Sequence, residues 1–341
     1  MAHLEARKHI SADSGFPITL HPHFNEKIKN HVPPEPFREP FTPPKDRAYF
    51  ADPEKKALFS VAKQVDLTES IGTVLENVQL SQLNESQLDE LALLVTQRGV
   101  VFFRDQDLTT EKQVELFQHY GKAIWGFLDD GTVDLSFGDF HADTSFEINP
   151  PTYSLLRMEE HPEVGGDTAW VSQYGIYDAL SNAYKRFLDG LHAVHTSRLQ
   201  YDTIIDLWGA APNRPPIDTH HPAVRTHPVT KLKALNVNPG FVTGFAELKK
   251  VESDKVLDFL AYHIHSADDH YVRWKWAVGS VAMWDNRCTL HRVIPGRYKG
   301  ARRGIRTTVF GEIPYLDPTS ESRAERKLRE ENQGDDDVVV V

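Results

Sequence analysis

Between Val100 and Ile313 the chain breaks into short runs of β-forming residues separated by Gly, Pro and Asn, and this limits the architectures open to it. The runs are VVFFR (100–104), TYSLLRM (152–158), DTAWVS (167–172), AVHTS (193–197), ALNVN (234–238), SVAMW (280–284), TLHRVI (289–294) and GIRTTVFGEI (304–313). Strands this short and this numerous predict a mainly β fold, a sandwich or barrel, with helices packed outside. The helices have readable ends. NESQLDELALLVTQRG opens on Asn84 with Gln87 three residues on, carries Leu88, Leu91 and Val95 at helical spacing, and stops at Gly99. TTEKQVELFQHYG (109–121), SQYGIYDALSNAYKRFLDGL (172–191) and ESDKVLDFLAYHIHS (252–266) each read as one further amphipathic helix.

The ends of the chain differ in composition. Residues 1–60 are dense in Pro, charge and His, which predicts an extended arm lying on the domain or partly disordered. Residues 319–341 read as a charged tail, a short helix and then a loose end, expected to be disordered, with the four terminal valines frayed. Residues 61–318 then form the functional domain, with no internal repeat and no linker inside it.

With 341 residues, 40% hydrophobic and 26% charged, the chain can bury a sizeable core. A net charge of -11 argues against a nucleic-acid or anionic-membrane partner, though not against a small anion. The single cysteine, Cys288, excludes a disulfide framework or thiolate cluster and reads as a small core residue. No secretory signal and no long apolar run is readable, so the cytosol is the expected compartment, and a homo-oligomer stays open.

In FGDFHADTSF (137–146), a strand would put Phe140, Ala142 and Phe146 on one face and Asp139, His141, Asp143 and Ser145 on the other. His141 and Asp143 would then lie roughly 6–7 Å apart, able to grip one ion. A solvated strand face is the alternative, so a third ligand is needed. His291 in CTLHRV is the best candidate. The next strand would place Arg302 and Arg306 on one face, roughly 13 Å apart. A buried guanidinium is costly without an anion, so each implies a carboxylate or sulfonate nearby. Two imidazoles and a carboxylate with open positions form the facial triad of Fe(II) oxygenases. A keto-acid bound there needs a fixed cation at its far carboxylate, and Arg302 is placed for it. Other histidines read as structural: His220 and His221 as a Pro-rich loop, and His263 and His265 as diverging on a helix. Trp274, Trp276 and Trp284 read as core.

RGVVFFRDQDLT, the HAD run, GGDTAW, PAVRTHP, VNPGF and WDNRCTLH with its trailing arginines together resemble the taurine dioxygenase (TauD/TfdA) family of Fe(II)/2-oxoglutarate oxygenases, from about residue 70 to 316. The resemblance implies a double-stranded β-helix, or jelly roll, with Fe(II), 2-oxoglutarate and O2 as cofactor and co-substrates. It implies His141, Asp143 and His291 as iron ligands. It implies Thr168 and Arg302 at the far carboxylate of 2-oxoglutarate, and Arg306 on the substrate's acidic group. Tyr201 and Phe241 match aromatic positions lining the substrate pocket. Where taurine dioxygenase uses a histidine and an asparagine on taurine, this chain has Gly126 and Phe137, and Trp125 and Phe127 flank the first of these. The implied substrate is therefore a bulkier or less polar anion, a sulfonate foremost, hydroxylated and released as sulfite and an aldehyde. The alternatives are the same chemistry on a carboxylate, sulfate ester or amino acid, ending in hydroxylation, desaturation or ring closure, or a catalytically silent binding protein.

Overall fold

Asn84 opens its helix as the pattern requires. In the computed structural model, which describes residues 39–129, 139–200, 216–294, 296, 298 and 300–336, helix α1 spans Glu85–Arg98. The Asn84 side chain accepts from Gln87 N, and Gln87 accepts from Asn84 N. Gly99 ends the helix at φ 75°, a backbone region open to glycine. Helix α2 (Thr110–Gln118) follows, capped by Thr109.

Strands β1 (Lys63–Asp66), β2 (Thr73–Glu76), β3 (Val100–Phe103), β4 (Ala123–Asp129), β5 (Pro151–Glu160), β13 (Val281–Asp285) and β15 (Arg303–Phe310) form one sheet. Their order is β1-β2-β3-β13-β5-β15-β4, and every pairing is antiparallel except β2 with β3. Alternation along each strand gives this sheet two apolar faces. Val101, Phe103, Leu155, Met283 and Val309 meet Leu88, Leu91 and Val95 of α1 and Phe117 of α2. Val100, Phe102, Leu156, Ala282 and Trp284 point the other way and meet Trp170 and Trp274. Burying each Val, Leu, Phe or Met among these contributes roughly 1.5–3 kcal/mol.

Those tryptophans belong to a second sheet, β12 (Tyr271–Trp274), β6 (Thr168–Ser172) and β14 (Thr289–Val293), antiparallel in that order. Its other face carries Ala169, Val171 and Leu290 against Ile176, Leu260 and Ile264. Two small sheets complete the β structure: β11 (Val242–Phe245), β7 (His192–Thr196) and β8 (Asp218–Pro222), and the pair β9 (Val224–Thr226) and β10 (Lys233–Leu235). The described strands are thus mainly β layers flanked by helices, as expected, and they do not close into a barrel.

Three readings change. The helix expected over 172–191 is two helices, α3 (Gln173–Asp178) and α4 (Asn182–Leu188). Ser181 accepts from Tyr184 N and starts a new helix, because a serine hydroxyl competes for the backbone best at an N-cap. Helix α5 covers Lys250–His265 as foreseen. His220 and His221 lie in strand β8, with His220 exposed and His221 buried. The tail carries the expected short helix, α6 (Arg323–Asp336), but as far as described it is docked and not loose: Arg323 donates to Ser70 O at 2.9 Å and Ser172 Oγ at 3.1 Å. The terminal valines and residues 1–38 lie outside the described residues.

The arm that follows residue 38 is pinned to the large sheet. Asp46 accepts from Tyr153 Oη at 2.9 Å and from Arg287 Nη1 at 2.7 Å. Arg287 forks onto Asp285 through Nε at 2.9 Å and Nη2 at 2.7 Å, and is fully buried. Asp46→Ala leaves a buried guanidinium and a buried phenol each short of an acceptor. We expect a loss of about 2 kcal/mol, read as a fall of about 3 °C in Tm for a chain of this length; an unchanged melting curve would remove the arm's anchoring role.

His221 donates toward Glu147 O at 2.9 Å, and burial holds its pKa down at about 4. Its neighbour His195, fully buried, is held well below the ordinary range by the same cause. Both imidazoles are therefore neutral in the fold and protonate more readily when unfolded. The contribution of His221 is complete above the unfolded value near 6.5 and is lost as pH falls from there toward about 4, and that of His195 is lost in the same direction. His221→Gln should flatten chemical-denaturation stability between pH 7 and pH 5, by at most about 3 kcal/mol; an identical slope in the variant would contradict this.

Candidate active site

The HAD segment is not a strand. His141 forms a single antiparallel bridge with His291, exchanging N–H···O bonds of 3.0 and 2.8 Å. The chain then turns at Asp143–Phe146, with Thr144 at φ 33° and Glu147 N bonded to Thr144 O. Alternation predicted the right neighbours for the wrong reason: the bridge sets His141 beside His291, and the turn swings Asp143 back toward both. Phe140, Ala142 and Phe146 are buried as expected. Gly240 admits this arrangement, since a Cβ there would stand 2.7 Å from His141 Cβ.

Donor atoms of His141, Asp143 and His291 all lie within 4.8 Å of one another. His141 Nδ1 is bonded to Asp139 O at 2.8 Å, which leaves Nε2 as the free donor atom. His291 stands in register with Trp170 on β6, and its Nε2 lies 3.6 Å from Asp143 Oδ1. Burial lowers the pKa of His141, and burial with the facing His141 holds His291 at about 3, so both imidazoles are neutral. Burial pushes Asp143 upward, but Arg306, His291 and His141 outweigh it and hold the carboxyl at about 2. Two neutral imidazoles and an ionised carboxylate, facing one point, suit a divalent iron.

Two supports of Asp143 escaped the sequence reading. Ser154 Oγ, on β5, donates to Asp143 Oδ2 at 2.7 Å. Asn286 Oδ1 accepts from Asp143 N at 3.0 Å, while its amide donates to Thr152 O and Ser154 Oγ. The WDNR turn was visible, but nothing in its composition shows that Asn286 reaches across to the HAD segment.

Arg302 precedes β15 and is buried. It donates to Gly166 O at 2.8 Å and to Thr168 Oγ1 at 3.1 Å, and burial lowers its pKa to about 10. Adjacent Arg303 instead pairs with Glu159 and Glu160. Gly166 sits at φ 69°, and a Cβ there would come within 3.0 Å of Arg302 Cδ. Trp276 Nε1 donates to Thr168 Oγ1 at 2.9 Å, so this core tryptophan also touches the Arg302–Thr168 pair.

Arg306 lies inside β15, opposite Leu156 of β5 and Gly126 of β4. Its side chain is 32% exposed, less buried than the strand pattern implied, and its Nη1 donates to Asp143 Oδ1 at 2.5 Å. Phe241 packs its ring edge-on to His141 at 5.6 Å and to Phe146 at 5.1 Å. Tyr201, Phe137 and the side chains of Trp125 and Phe127 lie outside the described residues. Cys288 is buried among Tyr174, Leu232 and Ala234, and His263 and His265 bond to different partners, Ile176 O and Asp139.

Residues 63–308 match the family model described as taurine catabolism dioxygenase TauD, TfdA family. The chain belongs to the TauD/TfdA family. It is accordingly an Fe(II)- and 2-oxoglutarate-dependent dioxygenase. A Schizosaccharomyces pombe relative is 36% identical over 310 residues, spanning 84% of this chain and 78% of its own. The Saccharomyces cerevisiae alpha-ketoglutarate-dependent sulfonate dioxygenase is 34% identical, over 74% of this chain and 67% of that one. A Burkholderia xenovorans taurine dioxygenase structure superposes with a TM-score of 0.65 at 30% identity, covering 76% of this chain and 94% of that one. Within this TauD/TfdA chain, no helix among the described residues is long and apolar enough to cross a membrane.

Proposed function

We propose that this enzyme hydroxylates a small organic sulfonate at the carbon bearing the sulfonate, giving an alcohol that collapses to an aldehyde and sulfite. In this reading His141, Asp143 and His291 hold Fe(II), Thr168 and Arg302 hold the far carboxylate of 2-oxoglutarate, and Arg306 holds the sulfonate. Phe241, and Tyr201 by resemblance, line the substrate pocket. The likeness to a taurine dioxygenase structure supports a jelly roll as the frame for these groups, which we place over residues 61–318.

The single observation that carries the reading is the division between two arginines four residues apart. Arg302 is sealed against Thr168, and Arg306 is open beside Asp143. A buried fork matches a carboxylate that enters once per turnover in a fixed pose. A half-open guanidinium suits an anion arriving from solvent. When bound, Fe(II) with 2-oxoglutarate and O2 supplies the oxidant that converts C–H to C–OH, with succinate and CO2 as co-products. The chain's own work is placement and exclusion. Arg306 fixes the anion so that the adjacent C–H faces the triad. Phe241, Phe146 and the Trp170–Trp284 pair, with ring centroids 5.8 Å apart, keep one side of the site apolar and dry. Ser154 and Asn286 keep Asp143 from turning.

Sulfate esters are the second substrate class, because the Pseudomonas putida alpha-ketoglutarate-dependent sulfate ester dioxygenase is 28% identical over 75% of this chain. Succinate release from 2-oxoglutarate, measured with Fe(II) against panels of alkyl sulfonates, alkyl sulfate esters, carboxylates and amino acids, separates the two. Sulfite formed in step with succinate on a sulfonate is the expected result. Coupled turnover on sulfate esters alone, or on carboxylates alone, would overturn the assignment.

A further inference from the structure

Arg306 and an entering metal ion require the same oxygen. Asp143 Oδ2 is held by Ser154 Oγ at 2.7 Å, on the side facing β5. Oδ1 is the oxygen that looks toward the imidazoles, 3.6 Å from His291 Nε2. An ion sharing His141, His291 and Asp143 would take Oδ1. Yet Oδ1 accepts the charged hydrogen bond of Arg306 Nη1 at 2.5 Å. Asp143 itself is 4% exposed, so water does little to screen this contest. The cation on Arg306 also repels a dication arriving beside it.

Resting on the proposed roles of these residues, we infer that Arg306 competes with Fe(II) for Asp143 Oδ1, and that an anionic substrate strengthens metal binding by drawing Arg306 away. The guanidinium has five donors and is about a third exposed, so it can swing toward a sulfonate without unfolding β15. Because linkage is reciprocal, the loaded metal strengthens substrate binding by the same factor. The device biases the enzyme toward holding its ion when substrate is present. It also withholds a substrate-ready arginine until the ion is seated.

The test is calorimetric titration of Mn(II), which avoids oxidation, into metal-free full-length protein. Wild type, Arg306→Gln, Arg306→Met and His291→Ala are compared at one pH, with circular dichroism establishing that each is folded. Removing the competitor should tighten Mn(II) binding about tenfold in both Arg306 variants, about 1.4 kcal/mol. Hexane-1-sulfonate should move wild type toward the Arg306→Gln affinity and leave Arg306→Gln unmoved. Arg306 variants that bind Mn(II) no tighter than wild type would overturn the inference. So would a sulfonate that shifts the variant as much as wild type, or shifts neither. Wild type that binds no Mn(II), or binds it equally in His291→Ala, would instead overturn the metal-site reading on which the inference rests.

Discussion

His291→Ala should lower Fe(II)-dependent succinate formation by about 10³-fold or more, equivalent to at least about 4 kcal/mol of transition-state stabilisation. The fold should survive. His291 sits on β14, where its main chain pairs with Trp170 of β6 and with His141 through the bridge, and these bonds use no side-chain atom. Removal of the imidazole leaves two donors where a facial set needs three. It also leaves Asp143 without one of the groups that hold its carboxyl low, though Arg306 remains to keep it ionised. Activity therefore drops through lost metal rather than lost structure. Equilibrium dialysis with Fe(II) under argon, alongside a melting curve, distinguishes these. A variant that keeps metal and turnover would remove His291 from the ligand set.

Arg302→Met should raise the apparent KM for 2-oxoglutarate by about 10²–10³-fold, the range seen when one partner of a buried charge pair is truncated. The KM for the sulfonate should change far less. Arg306→Ala should do the reverse. The asymmetry follows from where the two side chains end. Arg302 is sealed between Gly166 and Thr168, with Trp276 behind the threonine, and a flexible apolar chain there offers the co-substrate carboxylate nothing in return. Arg306 opens to solvent beside the triad. Initial rates with each substrate varied against saturating levels of the other measure both constants. Equal weakening of 2-oxoglutarate in both variants would contradict the division of labour.

Much of this site was legible because the side chains that carry charge chemistry are scarce inside a β core. A histidine two residues before an aspartate, a third ligand in a later strand, and two arginines four apart are each costly to bury without purpose. Period two along β15 sets Thr307 and Val309 on the face opposite Arg306, where Gln113 bonds Thr307 and Val309 packs with α1. Other features depend on partners distant in the chain. Ser154 looks like any strand serine until β5 is set against the HAD turn. The same holds for Asn286, whose amide closes four contacts across three segments. The HAD segment itself alternates like a strand, yet only His141 finds a strand partner. Its alternation came from a core-facing turn. In the tail, the short charged helix was legible, but composition does not reveal that Arg323 meets Ser70 and Ser172 or that Arg326 reaches Thr230 O.

The most direct measurement is an anomalous-difference map from crystals grown under argon with Fe(II) and 2-oxoglutarate. One strong peak is expected within coordination distance of His141, Asp143 and His291, with the co-substrate's far carboxylate on Arg302 and Thr168. A peak held by other residues, or none at full Fe(II) loading, would contradict it.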